Sequence, residues 1–272
     1  MVTDRYSHLM QEITAILFII LLACTPLVAL TTWLIRSPYT CIQSMLFLVA
    51  IYLVRFQWRG SVPTRLPLSL ETGAVLVCNH RSSVDPFFVQ ISAHRVVHWM
   101  VAKEYCEHPA FRWFLSTCQV IPVNRGGIDT ASTKQAIRLA KAGGVIGMFP
   151  EGRINMTDKF MMPCRPGAIL IALKAQVPIV PVYIDGSPYR GTPWSPLLTR
   201  ARVRVRFGEP IDVDAYRDQE ETTLIGQLMV RTVKAIAELA GDAHYEPQLA
   251  GRQWKPTADE VAADRERLEA SH

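Results

Sequence analysis

The sequence predicts an α/β fold, a mostly parallel central sheet flanked by helices, with an N-terminal membrane-binding helical segment. Three observations lead there. From about Leu66 onward, short apolar runs alternate with stretches of helical periodicity, the pattern of βαβ units. Ile13 to Ile35 contains no charged residue. Residue types capable of chemistry stand directly after the apolar runs, where the carboxyl edge of a parallel sheet gathers its ligands.

At about 1.5 Å per helical residue, Ile13 to Ile35 is long enough to cross a hydrocarbon core of roughly 30 Å. A second apolar stretch, Cys41 to Val54, follows the break Arg36-Ser37-Pro38 and is too short to span alone. Residues 1–60 are therefore expected to anchor the chain in a membrane, as one transmembrane helix or a re-entrant helix pair. Trp33, Tyr39, Tyr52 and Trp58 lie near the ends of these runs, where amphipathic rings favour the interface. A cleaved signal peptide is the competing account. Against it, the run exceeds a usual signal core, the leader carries Asp4 and Glu12, and no small-residue cleavage site stands out. Arg36, Arg55, Arg59 and Arg65 follow the first span and place the remainder on the cytoplasmic side.

Residues 61–243 are expected to form one α/β domain, and 244–272 a polar, Pro-punctuated tail packed loosely on it. The strands expected are Ala74–Cys78, Val96–Ala102, Val120–Val123, Val145–Phe149, Ile179–Ile184 and Ala201–Phe207. Helices are expected at Pro86–Ala93, Tyr105–Ser116, Thr130–Ala142, Pro166–Ala175 and Leu224–Leu239, with Gly143-Gly144 stopping the third. The six cysteines show no C-x-x-C pair and no zinc-type spacing with His, so they read as reduced, mostly buried apolar residues and no metal is expected. The net charge of +5 is moderate, and beside a membrane anchor it points to anionic lipid, with no nucleic-acid partner.

The most informative stretch is Asn79-His80-Arg81-Ser82-Ser83-Val84-Asp85-Pro86. Positions five apart point to opposite faces of a strand and lie roughly 140° apart on a helix, so His80 and Asp85 meet only if the chain turns between them. A strand ending near Cys78 and a helix beginning at Asp85-Pro86, with Asp at the N-cap, provides that turn. The carboxylate then fixes one imidazole nitrogen and leaves the other as a base. Alone, the pair is equally consistent with a helix cap beside a loop histidine. Two further stretches join charge to glycine after a strand, Val123-Asn124-Arg125-Gly126-Gly127 and Phe149-Pro150-Glu151-Gly152-Arg153. Glycine allows close approach of a ligand and Arg offers a planar fork for phosphate or carboxylate.

Taken together and in order, these blocks and Val177-Pro178-Ile179-Val180-Pro181-Val182 resemble the glycerolipid acyltransferase family over about Val75 to Ile184. The resemblance implies transfer of an acyl chain from coenzyme A or acyl carrier protein, as cosubstrate and without a bound cofactor, to a hydroxyl of a lysophospholipid at a phospholipid membrane. It implies His80 as general base, Asp85 as its orienter, and Asn79, Arg125, Glu151, Gly152 and Arg153 as contacts to the acceptor. The third block departs from the family's usual Glu-Gly-Thr-Arg, because Arg153 follows Gly152 directly. Lysophosphatidate is thus the expected acceptor, with lysophosphatidylethanolamine as the alternative. From other classes, a non-catalytic lipid-binding protein and a serine esterase using Ser82 or Ser83 are the rivals.

Arg200, Arg202, Arg204 and Arg206 alternate with Ala201, Val203, Val205 and Phe207, so a strand there buries one face and presents guanidinium groups on the other. They would serve anionic head groups or an acidic carrier, or simply keep a strand edge solvated. Phe111, Trp113, Phe114 and Leu115 are expected to pack a helix on the sheet, with the lining of an acyl channel as the second reading.

Overall fold

The computed structural model describes residues 2–124, 129–216 and 221–251. The chain divides into two compact units, Met1–Ser44 and Met45–His272. The first is dominated by α1 (Val2–Arg36), whose stretch Met10–Arg36 is, among the described residues, the one helix long and apolar enough to cross a membrane. Its hydroxyls do not interrupt that surface. Thr14, Thr25 and Thr31 each donate to the carbonyl four residues earlier, at 2.7, 2.6 and 2.9 Å, which removes the penalty of a bare hydroxyl in an apolar medium. Helix α2 (Cys41–Tyr52) runs into the second unit and ends in a π-helical turn, Leu53–Gln57.

In the second unit six strands form one sheet in the order β3-β2-β4-β1-β5-β6. They are β1 (Ala74–Cys78), β2 (Val97–Ala102), β3 (Ile121–Val123), β4 (Val145–Met148), β5 (Ile179–Asp185) and β6 (Arg204–Phe207). All pairings are parallel except β5 with β6. Every residue of β1 is buried, as a parallel strand covered on both faces requires. Val75 and Val77 pack with α6 (Thr130–Lys141), α7 (Gly167–Ala175) and α8 (Glu221–Ala240). Leu76 and Cys78 point the other way, toward α3 (Asp85–Ala93), Val54 and Trp58. From β1 the chain crosses to β2 on one side, while β5 lies on the other. The carboxyl ends of β1 and β5 therefore flank a switch point, where an open α/β sheet leaves a crevice.

Several expectations need correction. The helix expected over 105–116 is two, α4 (Lys103–Glu107) and α5 (Pro109–Thr117). Pro109 disfavours helical backbone at His108, which turns extended and accepts the Ala110 N–H on its own imidazole, capping α5. No residue of α5 is buried, so it is not a core-packed helix. Helix α3 starts one residue early: Val84 is the N-cap and Asp85 the first helical residue. Strand β6 is shorter than expected because Val203 bonds Trp58 instead, its N–H 3.1 Å from that carbonyl. Cys78 and Cys164 are buried, Cys106 and Cys118 half-buried, and Cys24 and Cys41 exposed. The described start of the tail is not loose, since Leu249 bridges Cys164 and Ala250 is buried. The rest of the tail lies outside the described residues.

Gly147 faces Trp99 across the β2–β4 pairing, and a Cβ there would stand 2.5 Å from the indole. Gly147→Ala is expected to displace that ring and destabilise the protein by about 1–3 kcal/mol, read as a lower thermal or urea midpoint.

Candidate active site

His80 leaves β1 on the face of Leu76 and Cys78, and the turn over Arg81 to Val84 returns the chain to it through α3. The His80 Nδ1 lies 3.0 Å from Asp85 Oδ2, with Asp85 fully buried and the imidazole 15% exposed. The same Oδ2 accepts the Arg81 and Ser82 N–H groups at 2.7 and 2.8 Å. Ser187 Oγ donates to the other oxygen, Oδ1, at 2.6 Å. An ionised carboxylate only accepts, so Nδ1 carries the proton and Nε2 keeps its lone pair.

The plane of the imidazole is set by stacking. His80 lies on Phe149 with centroids 3.8 Å apart and planes at 11°, and Phe149 lies on Trp99 at 4.7 Å and 14°. The absent side chain at Gly147 makes room for the last of these rings. Ser187 is positioned from β5. Gly186 has φ +73, and a Cβ there would stand 2.2 Å from the Arg202 carbonyl, so glycine alone allows this turn.

Other expected site residues divide sharply. Asn79 is buried and its amide is committed to β5: Nδ2 donates to the Ile184 carbonyl and Oδ1 accepts the Ile184 N–H, both at 2.8 Å. Glu151 is likewise buried, with Oε1 accepting the His80 N–H and Oε2 the Met162 N–H, again at 2.8 Å. Both side chains thus have backbone partners, and Asn79 also lines a cavity beside the dyad. They hold the backbone on which His80 sits. Burial pushes the Glu151 carboxyl up to about 7, against the opposing pull of those two N–H groups and Arg81. Gly152, at φ +73, turns the chain after β4, and Arg153 follows it half-buried. Arg125, Gly126 and Gly127 lie outside the described residues.

Some functional positions were not anticipated. Arg81 donates to the carbonyls of Asn155, Thr157, Lys159 and Phe160 at 3.2, 2.7, 2.6 and 3.3 Å, clamping the loop after Arg153. The Arg165 guanidinium approaches Gly152, 3.9 Å from where a Cβ would be. Ser82 and Ser83 donate to the Pro188 and Pro193 carbonyls at 2.5 and 2.8 Å. A nucleophilic serine would instead present its hydroxyl to the imidazole. Beside the dyad opens a cavity of about 410 Å³ whose lining includes Arg81, Asn155, Tyr183, Asp185 and Ser187. Among the described residues no group of three or more His, Cys, Asp or Glu side chains is placed to hold a metal ion.

Residues 55–185 match the model of the family described as Acyltransferase. That match places an acyltransferase domain over these residues. It is 29% identical over 145 residues to the 1-acyl-sn-glycerol-3-phosphate acyltransferase of Bacillus subtilis (strain 168), covering 53% of this chain and 69% of that one. The protein of the same name from Streptococcus pneumoniae is 31% identical over 142 residues, covering 51% of this chain but only 50% of its relative. In fold, the chain resembles the 1-acyl-sn-glycerophosphate (LPA) acyltransferase PlsC of Thermotoga maritima. The TM-score is 0.53 at 19% identity, over 82% of this chain and 93% of that one.

Two outcomes follow from this geometry. Ser187→Ala removes one hydrogen bond to a charged group, worth about 1.5 kcal/mol or more, so kcat for acyl transfer should fall roughly tenfold with KM unchanged. Ser187→Thr, which keeps the donor, should restore it. For Glu151, a folded pKa of about 7 above an ordinary 4.5 means its stabilising contribution is complete below pH 4.5 and is lost as pH rises through 7. Glu151→Gln should abolish that slope in pH-dependent denaturation. At pH 5 it should also be less stable than the parent by about 1–3 kcal/mol, because its amide NH₂ faces a second N–H.

Proposed function

We propose that the protein transfers a fatty acyl group from an acyl thioester, coenzyme A or acyl carrier protein, to the free hydroxyl of lysophosphatidate, giving phosphatidate in phospholipid biosynthesis. The observation that carries this reading is the His80–Asp85 contact at 3.0 Å, at the carboxyl edge of the sheet. The names of the relatives point to the same acceptor. His80 Nε2 takes the acceptor's hydroxyl proton as the oxygen attacks the thioester carbonyl. Asp85 stabilises the imidazolium, the tetrahedral intermediate expels the thiolate, and the imidazolium returns the proton to the sulfur. No covalent enzyme intermediate is required, since the thioester is already activated. Arg153 and Arg165, beside Gly152, would meet the acceptor's phosphate, together with Arg125 from the preceding block.

Met10–Arg36 and the basic residues after it support a membrane-bound enzyme with its catalytic unit on the cytoplasmic side. A larger head group is the second reading. The cavity beside the dyad favours it, because Asp185 lines that space and would face the cation of lysophosphatidylethanolamine, although Arg204 stands 3.6 Å from the same carboxylate.

His80→Ala should lower kcat by about 10²–10⁴, followed as release of free thiol from the donor. Full activity in that variant would overturn the mechanism. A panel of lysophosphatidate, glycerol 3-phosphate and lysophosphatidylethanolamine with one donor decides the acceptor, and thiol release with none of them would leave only lipid binding or hydrolysis.

A further inference from the structure

Leu198 is 88% exposed although it closes an ordered 3₁₀ turn, Ser195–Leu198. The turn is well tied down. The Trp58 indole N–H donates to the Pro196 carbonyl at 2.9 Å, and Gln57 Nε2 to that of Leu197 at 3.3 Å. Trp194, just before it, stacks on Phe111 of α5 with centroids 4.9 Å apart and is itself 41% exposed. These contacts put the turn beside two other apolar surfaces that are exposed among the described residues. One is the end of α2 and the π turn, where Leu48, Val49, Tyr52 and Phe56 are exposed. The other is α5, whose Trp113 is 61% exposed.

We infer that Trp194–Leu198, with Trp113 and the exposed side chains from Leu48 to Phe56, is a bilayer-contacting face of the catalytic unit through which the lipid acceptor enters. Four features select a lipid surface as the occupant. The face is continuous with α2, which runs on from the apolar N-terminal unit. Its large rings combine an apolar body with a polar edge, the composition that settles at the membrane interface. Exposed Arg55, Arg112 and Arg200 stand one or two residues from Phe56, Trp113 and Leu198, as cations snorkelling to anionic head groups would. Finally, the loop bearing the turn is fastened to the catalytic block through the Ser82–Pro188 and Ser83–Pro193 bonds. The segment from Pro188 to Leu198 thus links this face to the turn between His80 and Asp85.

This inference rests on the acyl-transfer reading for its substrate, but its first test does not. The full-length protein is reconstituted into vesicles of phosphatidylcholine and phosphatidylglycerol containing brominated phosphatidylcholine. Part of the tryptophan emission should be quenched, and the quenched part should shrink in Trp194→Phe; an unchanged quenched fraction would overturn the inference. In the second test, Leu198→Asp should raise KM for a bilayer-embedded acceptor by roughly ten- to hundredfold. Its kcat on a water-soluble short-chain acceptor and its thermal midpoint should match the parent. An unchanged KM, or a detergent-stable dimer that Leu198→Asp dissociates, would overturn it, the latter assigning the face to a second copy. Quenching at Trp194 without thiol release from any donor would leave the bilayer face standing and sink the acyl-transfer reading instead.

Discussion

A carboxylate removed from water is tolerable only where its lone pairs are met, and Asp85 is met by four donors from two parts of the chain. Two are backbone N–H groups that exist in this orientation only because the chain turns tightly between β1 and α3. One is the imidazole it orients. The fourth, Ser187, comes from the end of β5, 102 residues away in sequence. Their geometry demands that β1 and β5 be neighbours, that α3 begin at Asp85 itself, and that the β5 turn pass through a glycine. Much of the central architecture can be understood as what satisfies this one group. A slip of β5 against β1 by a single residue would carry Ser187 away and leave an acceptor short of a partner.

The opposite face of the same problem is the backbone around His80. Its N–H would be a buried orphan at the end of β1, where the ladder stops, and Glu151 supplies the acceptor. Asn79 does the equivalent for β5, its amide imitating a peptide group at the point where the two strands part. Arg81 clamps four carbonyls of the loop after β4, and Arg95 does the same at the other end of the sheet, donating to Leu70, Thr72 and Gly143. Polar side chains here substitute for secondary structure where it runs out. That role is compatible with strong chemistry nearby because it leaves the imidazole edge as the uncommitted group.

How far this was readable from the residues depended on range. Strand β1 is fully buried and the other parallel strands partly so, and their apolar runs are bounded by polar turns, so β1 to β5 fall within a residue of their expected ends. The His80–Asp85 pair was readable because its spacing forced a local turn. Ser187 was not, since a serine after Gly186 looks like any loop residue until β5 lies beside β1. Nor were the Phe149 and Trp99 rings under His80, since Trp99 belongs to β2 and Phe149 follows β4, and they meet only through the β2–β4–β1 order. For Asn79 and Glu151, a sequence block shows that a polar residue is near the chemistry, not which way its oxygens face. The helix break at His108 was signalled by Pro109 alone, against an otherwise unbroken helical pattern.

Asn79 and Glu151 belong to the frame, and an anionic head group on the proposed acceptor would be met by cations; the chain brings Arg153 and Arg165 to the turn around Gly152 after β4. Arg165 reaches it through a backbone bond of its own, its N–H 2.9 Å from the Pro150 carbonyl. A guanidinium delivered from a separate strand of chain can compensate for the one-residue displacement of Arg153, because the anion responds to the position of the fork and not to its place in sequence. On this argument the shortened third block changes which residue holds the phosphate rather than whether one is held. The reacting hydroxyl and the imidazole keep the same relation, because the frame that fixes His80 does not pass through either arginine.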